Sequence, residues 1–205
     1  MKRVLVATPN AGKIHDFGGA ASHYGIEIVP LPSFSSLPPV IEDGATFEAN
    51  ARKKAEAYSR FVPGEIVIAD DSGLEVDALS GAPGVHSARY AADEPRAAER
   101  NVDDETNNRK LIREIKLVRI ENRKAQFVCV IAAAREGETL AVFEGKAEGI
   151  ILEQPRGFNG FGYDPLFYFR SIQKTFAELS AEEKAKYSHR GAAFREFLDW
   201  AKTRS

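Results

Sequence analysis

The stretch Glu65-Ile66-Val67-Ile68-Ala69-Asp70-Asp71-Ser72-Gly73 decides the reading of this chain. A continuous run of Ile and Val that ends at small and polar residues reads as a buried strand. Two carboxylates at the C-terminal end of such a strand stand where open α/β sheets bind ligands. Side chains alternate along a strand, so Asp70 and Asp71 point to opposite faces if the extended conformation persists, and they cannot share one proton as a dyad. One then faces a cleft while the other braces the turn. The same residues also suit a charged turn that caps a strand, because Asp, Ser and Gly are what turns favour.

Around this strand there is enough sequence for a full core. The 205 residues, 43% hydrophobic and 28% charged, suit one α/β domain over residues 1–205. The net charge of −2 supplies no bulk attraction to nucleic acid or to an anionic membrane, so a polyanionic substrate has to be held by a local cluster. Cys129 has no second cysteine to pair with, and its apolar neighbours Val128 and Val130 suggest a buried, unreactive thiol. The stretch Val4-Leu5-Val6-Ala7 is too brief for a signal-peptide core and no later segment is long enough to cross a bilayer, so a soluble cytoplasmic protein is expected.

Upstream, residues 3 to 7 read as a strand. Thr8-Pro9-Asn10-Ala11-Gly12-Lys13 then turns into a helix that ends around Tyr24-Gly25, gathering backbone amides and a lysine at a strand-to-helix junction. This is not a P-loop, since Ala7 replaces the first glycine and Ile14 stands where Ser or Thr would ligate Mg²⁺. A strand over Glu27 to Leu31, a Ser- and Pro-rich loop ending in Ile41-Glu42-Asp43-Gly44, and a helix from Thr46 carrying Lys53 and Lys54 follow.

Downstream, Leu74 to Leu79 alternates with period two as a second, half-buried strand. Pro95 to Val118 carries Leu111, Ile112, Ile115 and Val118 at helical spacing amid many charges, which predicts an exposed helix. Strands over roughly 124–135 and 139–153 flank Glu136-Gly137-Glu138 as an antiparallel hairpin within a mixed sheet. Pro155 to Pro165 is too glycine-rich for a strand or helix interior, carries three aromatics and looks like a binding loop. Ser180 and Glu183 have the capping-box spacing of a short helix. Ser188-His189-Arg190-Gly191 interrupts before a last helix that turns Ala193, Phe194, Phe197, Leu198 and Trp200 inward.

Glu42 and Asp71 are hard oxygen ligands on separate segments, and Mg²⁺ commonly takes one or two carboxylates plus substrate phosphates. The histidines have no zinc spacing, and there is no serine-hydrolase elbow. Phe158, Phe161 and Tyr163 could stack on a base whose edge bonds to Asp164, His189 and Arg190, although such aromatics also fill cores beneath loops.

Read together, Thr8 to Lys13, Thr46 to Ala51, Ala69 to Leu74 and Gly81 to Tyr90 resemble successive signatures of the inosine triphosphate pyrophosphatase family, the bacterial dITP/XTP pyrophosphatases. Gly160 to Pro165, Lys174 to Leu179 and Ser188 to Gly191 complete the set, in order, over residues 4 to 198. Each fragment is weak and their joint occurrence is specific. Pro9 departs from the glycine of many relatives and Ala49 from the glutamate of some.

The resemblance implies an elongated central mixed β-sheet flanked by helices, two lobes with the active-site cleft between them, and a homodimer. It implies Mg²⁺-dependent hydrolysis of noncanonical purine nucleoside triphosphates (ITP, dITP, XTP) to the monophosphate and pyrophosphate. By position, Glu42 and Asp71 match the metal ligands and Asp71 the proton acceptor. Thr8, Pro9, Asn10, Ala11, Gly12, Lys13, Lys54, Ser72, Phe161, Gly162, Tyr163, Asp164, Lys184, His189 and Arg190 match substrate contacts. Arg190, always a donor, suits a 6-oxo acceptor and leaves the 6-amino group of adenine facing another donor. A pyrophosphatase for another base, including a modified pyrimidine, and a non-catalytic nucleotide sensor are the alternatives.

Overall fold

Branched apolar runs and helix-period segments alternate along the chain, and strands and helices follow suit. The computed structural model describes residues 3–21, 24–92 and 103–203. Its elements are β1 (Arg3–Val6), α1 (Ala11–Ala21), β2 (Glu27–Pro30), α2 (Phe47–Ser59), β3 (Val67–Val76), α3 (Asp104–Ile115), β4 (Lys124–Arg135), β5 (Glu138–Ile151), β6 (Phe167–Phe169), β7 (Lys174–Thr175), α4 (Ala181–Tyr187) and α5 (His189–Lys202). Among the described residues the strands form one mixed sheet in the order β2-β1-β3-β4-β5-β6-β7, the α/β class expected. β1 runs parallel to β2 and β3, pairing Val4 with Ile28 and Leu5 with Val67. β6 is antiparallel to both β5 and β7. The β4–β5 hairpin turns on Glu136 and Gly137, both at positive φ (52° and 87°), the pattern of a two-residue type I′ turn. A Cβ on Gly137 would come within 2.4 Å of Arg60 Nε, so a side chain at this left-handed corner would have to displace the Arg60 guanidinium.

Three local expectations are corrected. The acidic stretch is not a turn: β3 runs unbroken through Asp70-Asp71-Ser72-Gly73 into Leu74 and Val76, so the two predicted strands are one. Turn preference loses because the polar side chains find buried partners on either side of the extended backbone, and because Leu74 and Val76 are fully buried further along it. His189 and Arg190 do not interrupt the C-terminal helix but open it, since Ser188 is its N-cap and accepts from the Gly191 N–H at 3.1 Å. The charge-rich helix is α3, and it is amphipathic with Leu111 and Ile115 fully buried; residues 95–102 of the predicted span lie outside the described residues.

The chain gathers into two compact units. One comprises residues 1–72, 129–146 and 181–205. Its core joins Val4, Ile68 and Ile131 of the sheet to Phe17 of α1 and to Phe194 and Phe197 of α5. The Phe17 and Phe194 rings lie 5.0 Å apart. The other comprises residues 73–128 and 147–180, with Leu111 and Ile115 of α3 packed in a core with Phe127, Phe167 and Phe176. Fully burying one such phenylalanine contributes about 1.5–3 kcal/mol.

Candidate active site

β3 delivers Asp70 and Asp71 in succession, and the pleat sends them to different neighbours, as the alternation predicts. Asp70 is 2% exposed. Its Oδ2 lies 3.0 Å from Lys13 Nζ of α1 and 3.4 Å from Arg190 Nη2 of α5, and accepts from Ser72 Oγ at 3.2 Å. Burial opposes its charge, but Lys13, Arg190 and Lys54 outweigh burial and hold the carboxyl well below the usual carboxylate range. Asp70 Oδ1 is buried and has no hydrogen-bond partner among the described residues. Cys129 Sγ sits 3.9 Å from Oδ2, and burial pushes the thiol pKa up, so it stays a neutral thiol.

Arg190 spans this cluster. Its Nη1 donates to Asp16 Oδ2 at 2.8 Å and its Nη2 to Ser72 Oγ at 2.7 Å. Asp16, one turn along α1 from Lys13, also stands 3.5 Å from Lys184 Nζ of α4. The side chains of Asp16, Asp70, Lys184 and Arg190 are all 7% exposed or less. His189 is buried beside them, and burial, then the charges of Arg190 and Lys184, push its pKa well below the ordinary histidine value.

Asp71 faces α2. Its Oδ2 accepts from Asn50 Nδ2 at 2.9 Å, and its Oδ1 accepts from the Ser72 N–H at 3.1 Å and lies 3.8 Å from Lys54 Nζ. Lys54, one turn beyond Asn50, donates to Glu42 Oε2 at 2.5 Å. Burial raises the Asp71 pKa against the pull of Lys54 and Lys13, which makes this carboxylate a better proton acceptor than an ordinary aspartate. Burial also penalises the Lys54 ammonium, but Asp71, Asp70 and Glu42 together lift its pKa and keep it charged.

Among the described residues no three His, Cys, Asp or Glu side chains gather into a metal-binding group. Glu42 and Asp71 nevertheless converge on one cationic centre, the Lys54 ammonium, and both offer hard oxygens. Such a pair fits Mg²⁺, which takes few carboxylates and completes its shell with water and phosphate. Charge points the same way. Asp16, Glu42, Asp70 and Asp71 offset Lys13, Lys54, Lys184 and Arg190, so the cluster is near neutral and a polyanionic phosphate needs further positive charge.

At the β1–α1 junction Thr8 Oγ1 accepts from the Asn10 N–H at 3.2 Å and Asn10 Oδ1 from the Lys13 N–H at 3.0 Å, so two side chains shape the turn and cap the helix. Pro9, Asn10 and Ala11 are exposed there, at a helix N-terminus suited to an anion. In the other unit, the glycine loop is held from within and by α3. Asp164 Oδ2 accepts from the Phe161 N–H at 2.9 Å, the Asp104 carboxylate from the Gly162 N–H at 2.6 Å, and Asn108 Nδ2 donates to the Gly162 carbonyl at 3.0 Å. Phe158 is fully exposed and Phe161 half-buried. Stacking on the Tyr163 ring is overturned: Tyr163 is 4% exposed, belongs to the core of its unit, and donates its hydroxyl to the Ser87 carbonyl at 2.8 Å.

Lys13, Ser72 and Arg190 thus meet around Asp70, with His189 beside them and Lys184 joined through Asp16, and Glu42 and Lys54 meet around Asp71. Sequence reasoning missed Asp16 and Asn50. The available signal was helical spacing: Asp16 follows Lys13 by three residues and Asn50 precedes Lys54 by four, each on the same helix face as that lysine.

The sequence pattern of the Ham1 family matches residues 4–200. A protein of Acidobacterium capsulatum named dITP/XTP pyrophosphatase is 48% identical over 201 residues, covering 95% of this chain and 96% of its own length. One of the same name from Bacillus anthracis is 49% identical over 197 residues, covering 95% and 94%. The solved structure of the Staphylococcus aureus Ham1 protein is similar with a TM-score of 0.81 and 40% identity, over the full length of both chains.

Proposed function

We propose, because the chain belongs to the Ham1 family, that residues 1–205 act as one enzyme domain that hydrolyses noncanonical purine nucleoside triphosphates such as dITP, XTP and ITP to the monophosphate and pyrophosphate. The observation that carries this reading is a buried Asp71 of raised pKa whose neighbours are Glu42 and Lys54. Glu42 and Asp71 would hold Mg²⁺, which when bound neutralises phosphate charge and polarises the phosphoryl group. Lys13 and Lys54 draw the phosphate oxygens toward β3. Asp71 accepts the proton of the attacking water as its oxygen bonds the α-phosphorus. The bond from that phosphorus to the bridging oxygen breaks, and pyrophosphate leaves with the electron pair.

Discrimination is assigned to donors. An arginine such as Arg190 favours a 6-oxo acceptor over a 6-amino group, and reaching a base edge would compete with its bond to Ser72 Oγ. Phe161 is the half-buried loop aromatic suited to stacking. The homodimer rests on the family resemblance, and the cytoplasmic location on the sequence expectation of a soluble protein. The net charge of −2 supports a small-molecule substrate over nucleic acid, and no helix among the described residues is long and apolar enough to cross a membrane.

Pyrophosphate release from dITP, XTP, ITP, dATP and dGTP, with and without Mg²⁺, tests the reading; equal turnover of dATP would sink the specificity. Asp71→Asn should lower kcat by about 10²–10⁴-fold while nucleotide binding persists. Unchanged turnover in that variant removes Asp71 from its role. Binding without turnover by the unmodified protein with Mg²⁺ present would mark a sensor instead.

A further inference from the structure

One buried amide joins the two segments whose carboxylates the proposed chemistry needs together. Asn50 on α2 is 1% exposed. Its Oδ1 accepts from the Gly44 N–H at 2.8 Å and its Nδ2 donates to Asp71 Oδ2 at 2.9 Å. A backbone N–H can only donate, so the amide oxygen must face Gly44 and the NH₂ must face Asp71. The direction of both bonds is therefore fixed by chemistry. Gly44 lies two residues after Glu42 in the loop that leads into α2. A Cβ at Gly44 would come within 2.7 Å of Asn50 Oδ1 and 2.9 Å of the Ala49 Cβ, so the loop approaches the helix at a distance that leaves no room for a side chain.

We infer that Asn50 is a positioning residue for the Glu42 and Asp71 pair, fixing with one amide both the path of the loop that carries Glu42 and the plane of the Asp71 carboxylate. The inference rests on the reading of these two carboxylates as the divalent-cation ligands. Asn50 lies behind them: its donor occupies Oδ2 and so leaves Oδ1 as the oxygen turned toward Lys54. Without it, Asp71 is held at Oδ1 alone, by the Ser72 N–H and Lys54, its Oδ2 loses its amide donor, and the loop is no longer tied to α2 through the Asn50 amide.

The test uses the full chain with Asn50→Leu, which keeps the branching of the side chain and removes both bonds, and Gly44→Ala, which pushes the loop away and leaves the Asp71 side of the amide intact. Mn²⁺ binding is followed by electron paramagnetic resonance without nucleotide, alongside kcat and KM for dITP and the melting temperature. Asn50→Leu should weaken Mn²⁺ binding and lower kcat by roughly 10–100-fold each, the range seen when groups supporting a metal ligand are removed, with KM changed less than about threefold. Gly44→Ala should shift both in the same direction by a smaller factor, and it carries the test if Asn50→Leu does not fold. A lower melting temperature with Mn²⁺ affinity and kcat unchanged would overturn the inference and leave Asn50 a packing residue. If the unmodified protein releases no pyrophosphate from dITP yet both variants lose Mn²⁺, the substrate reading falls and the positioning role stands.

Discussion

Asp16 is the cleanest place to weigh the buried cluster, because one carboxylate faces two cations that are themselves out of water. Arg190 Nη1 is 2.8 Å from Oδ2 and Lys184 Nζ 3.5 Å from Oδ1, with all three side chains at most 7% exposed. Removing one partner of a buried ion pair costs about 3–5 kcal/mol, chiefly because the other charge stays behind. Asp16→Asn keeps the shape and one acceptor for Arg190, so the low end applies, about 3 kcal/mol. For a domain of this size 1 kcal/mol moves the melting temperature by roughly 2–4 °C, which gives a fall of about 6–12 °C. Scanning calorimetry at neutral pH measures the fall, and a denaturant titration with an unchanged slope would confirm that stability, not compactness, has changed. Arg190→Met in the Asp16→Asn background should cost less than the sum of the two single changes, since the charges no longer face each other. A fall under about 2 °C, or strict additivity, would refute the coupling of these residues.

Other expectations follow from the same geometry. His189 is buried and neutral in the folded chain but takes a proton near pH 6.5 when unfolded, so the unfolded state binds more protons as the pH drops and stability is lost below that value. Between pH 7.5 and 5.5 this amounts to about 1.4 kcal/mol, and guanidinium titrations of His189→Asn should show a pH dependence smaller by that amount. Gly160 sits at φ 77° with its missing Cβ directed 2.1 Å from Asp164 Oδ2, whereas Gly162, at φ 61°, has open space around it. Gly160→Ala should therefore cost more than the ~1–2 kcal/mol of left-handed strain expected for Gly162→Ala; equal melting temperatures for the two variants would contradict the Asp164 contact.

How far the sequence could be read depended on the range of each interaction. Strand and helix periods are local, and β1, β2, α2, β4 and β5 lie close to where apolar spacing puts them. Alternation along β3 was legible for the same reason, and it separated Asp70 from Asp71 before any partner was known. What stayed hidden was decided by contacts far along the chain. Asp70-Asp71-Ser72-Gly73 has the composition of a turn, and its place inside the sheet, with partners on α1, α2 and α5 and with Leu74 and Val76 buried beyond it, keeps it extended. Tyr163 shares a glycine-rich loop with Phe158 and Phe161, yet one ring is core, one exposed and one intermediate, a division that composition does not encode. Asp16 and Asn50 carried no motif of their own and became visible only through the side chains they hold.

The distance along the chain between paired charges has a consequence in time. Arg190 meets Asp70 across 120 residues and Asp16 across 174. A ribosome adding about 5–20 residues per second makes Asp70 roughly 6–24 s before Arg190 exists. Throughout that interval Asp16 lacks the closest cation that offsets its burial, and Asp70 lacks one of three. The N-terminal strands therefore have reason to stay hydrated and loosely packed until α5 arrives. The guanidinium that lets Asp16 and Asp70 pack away from water thus arrives only with α5.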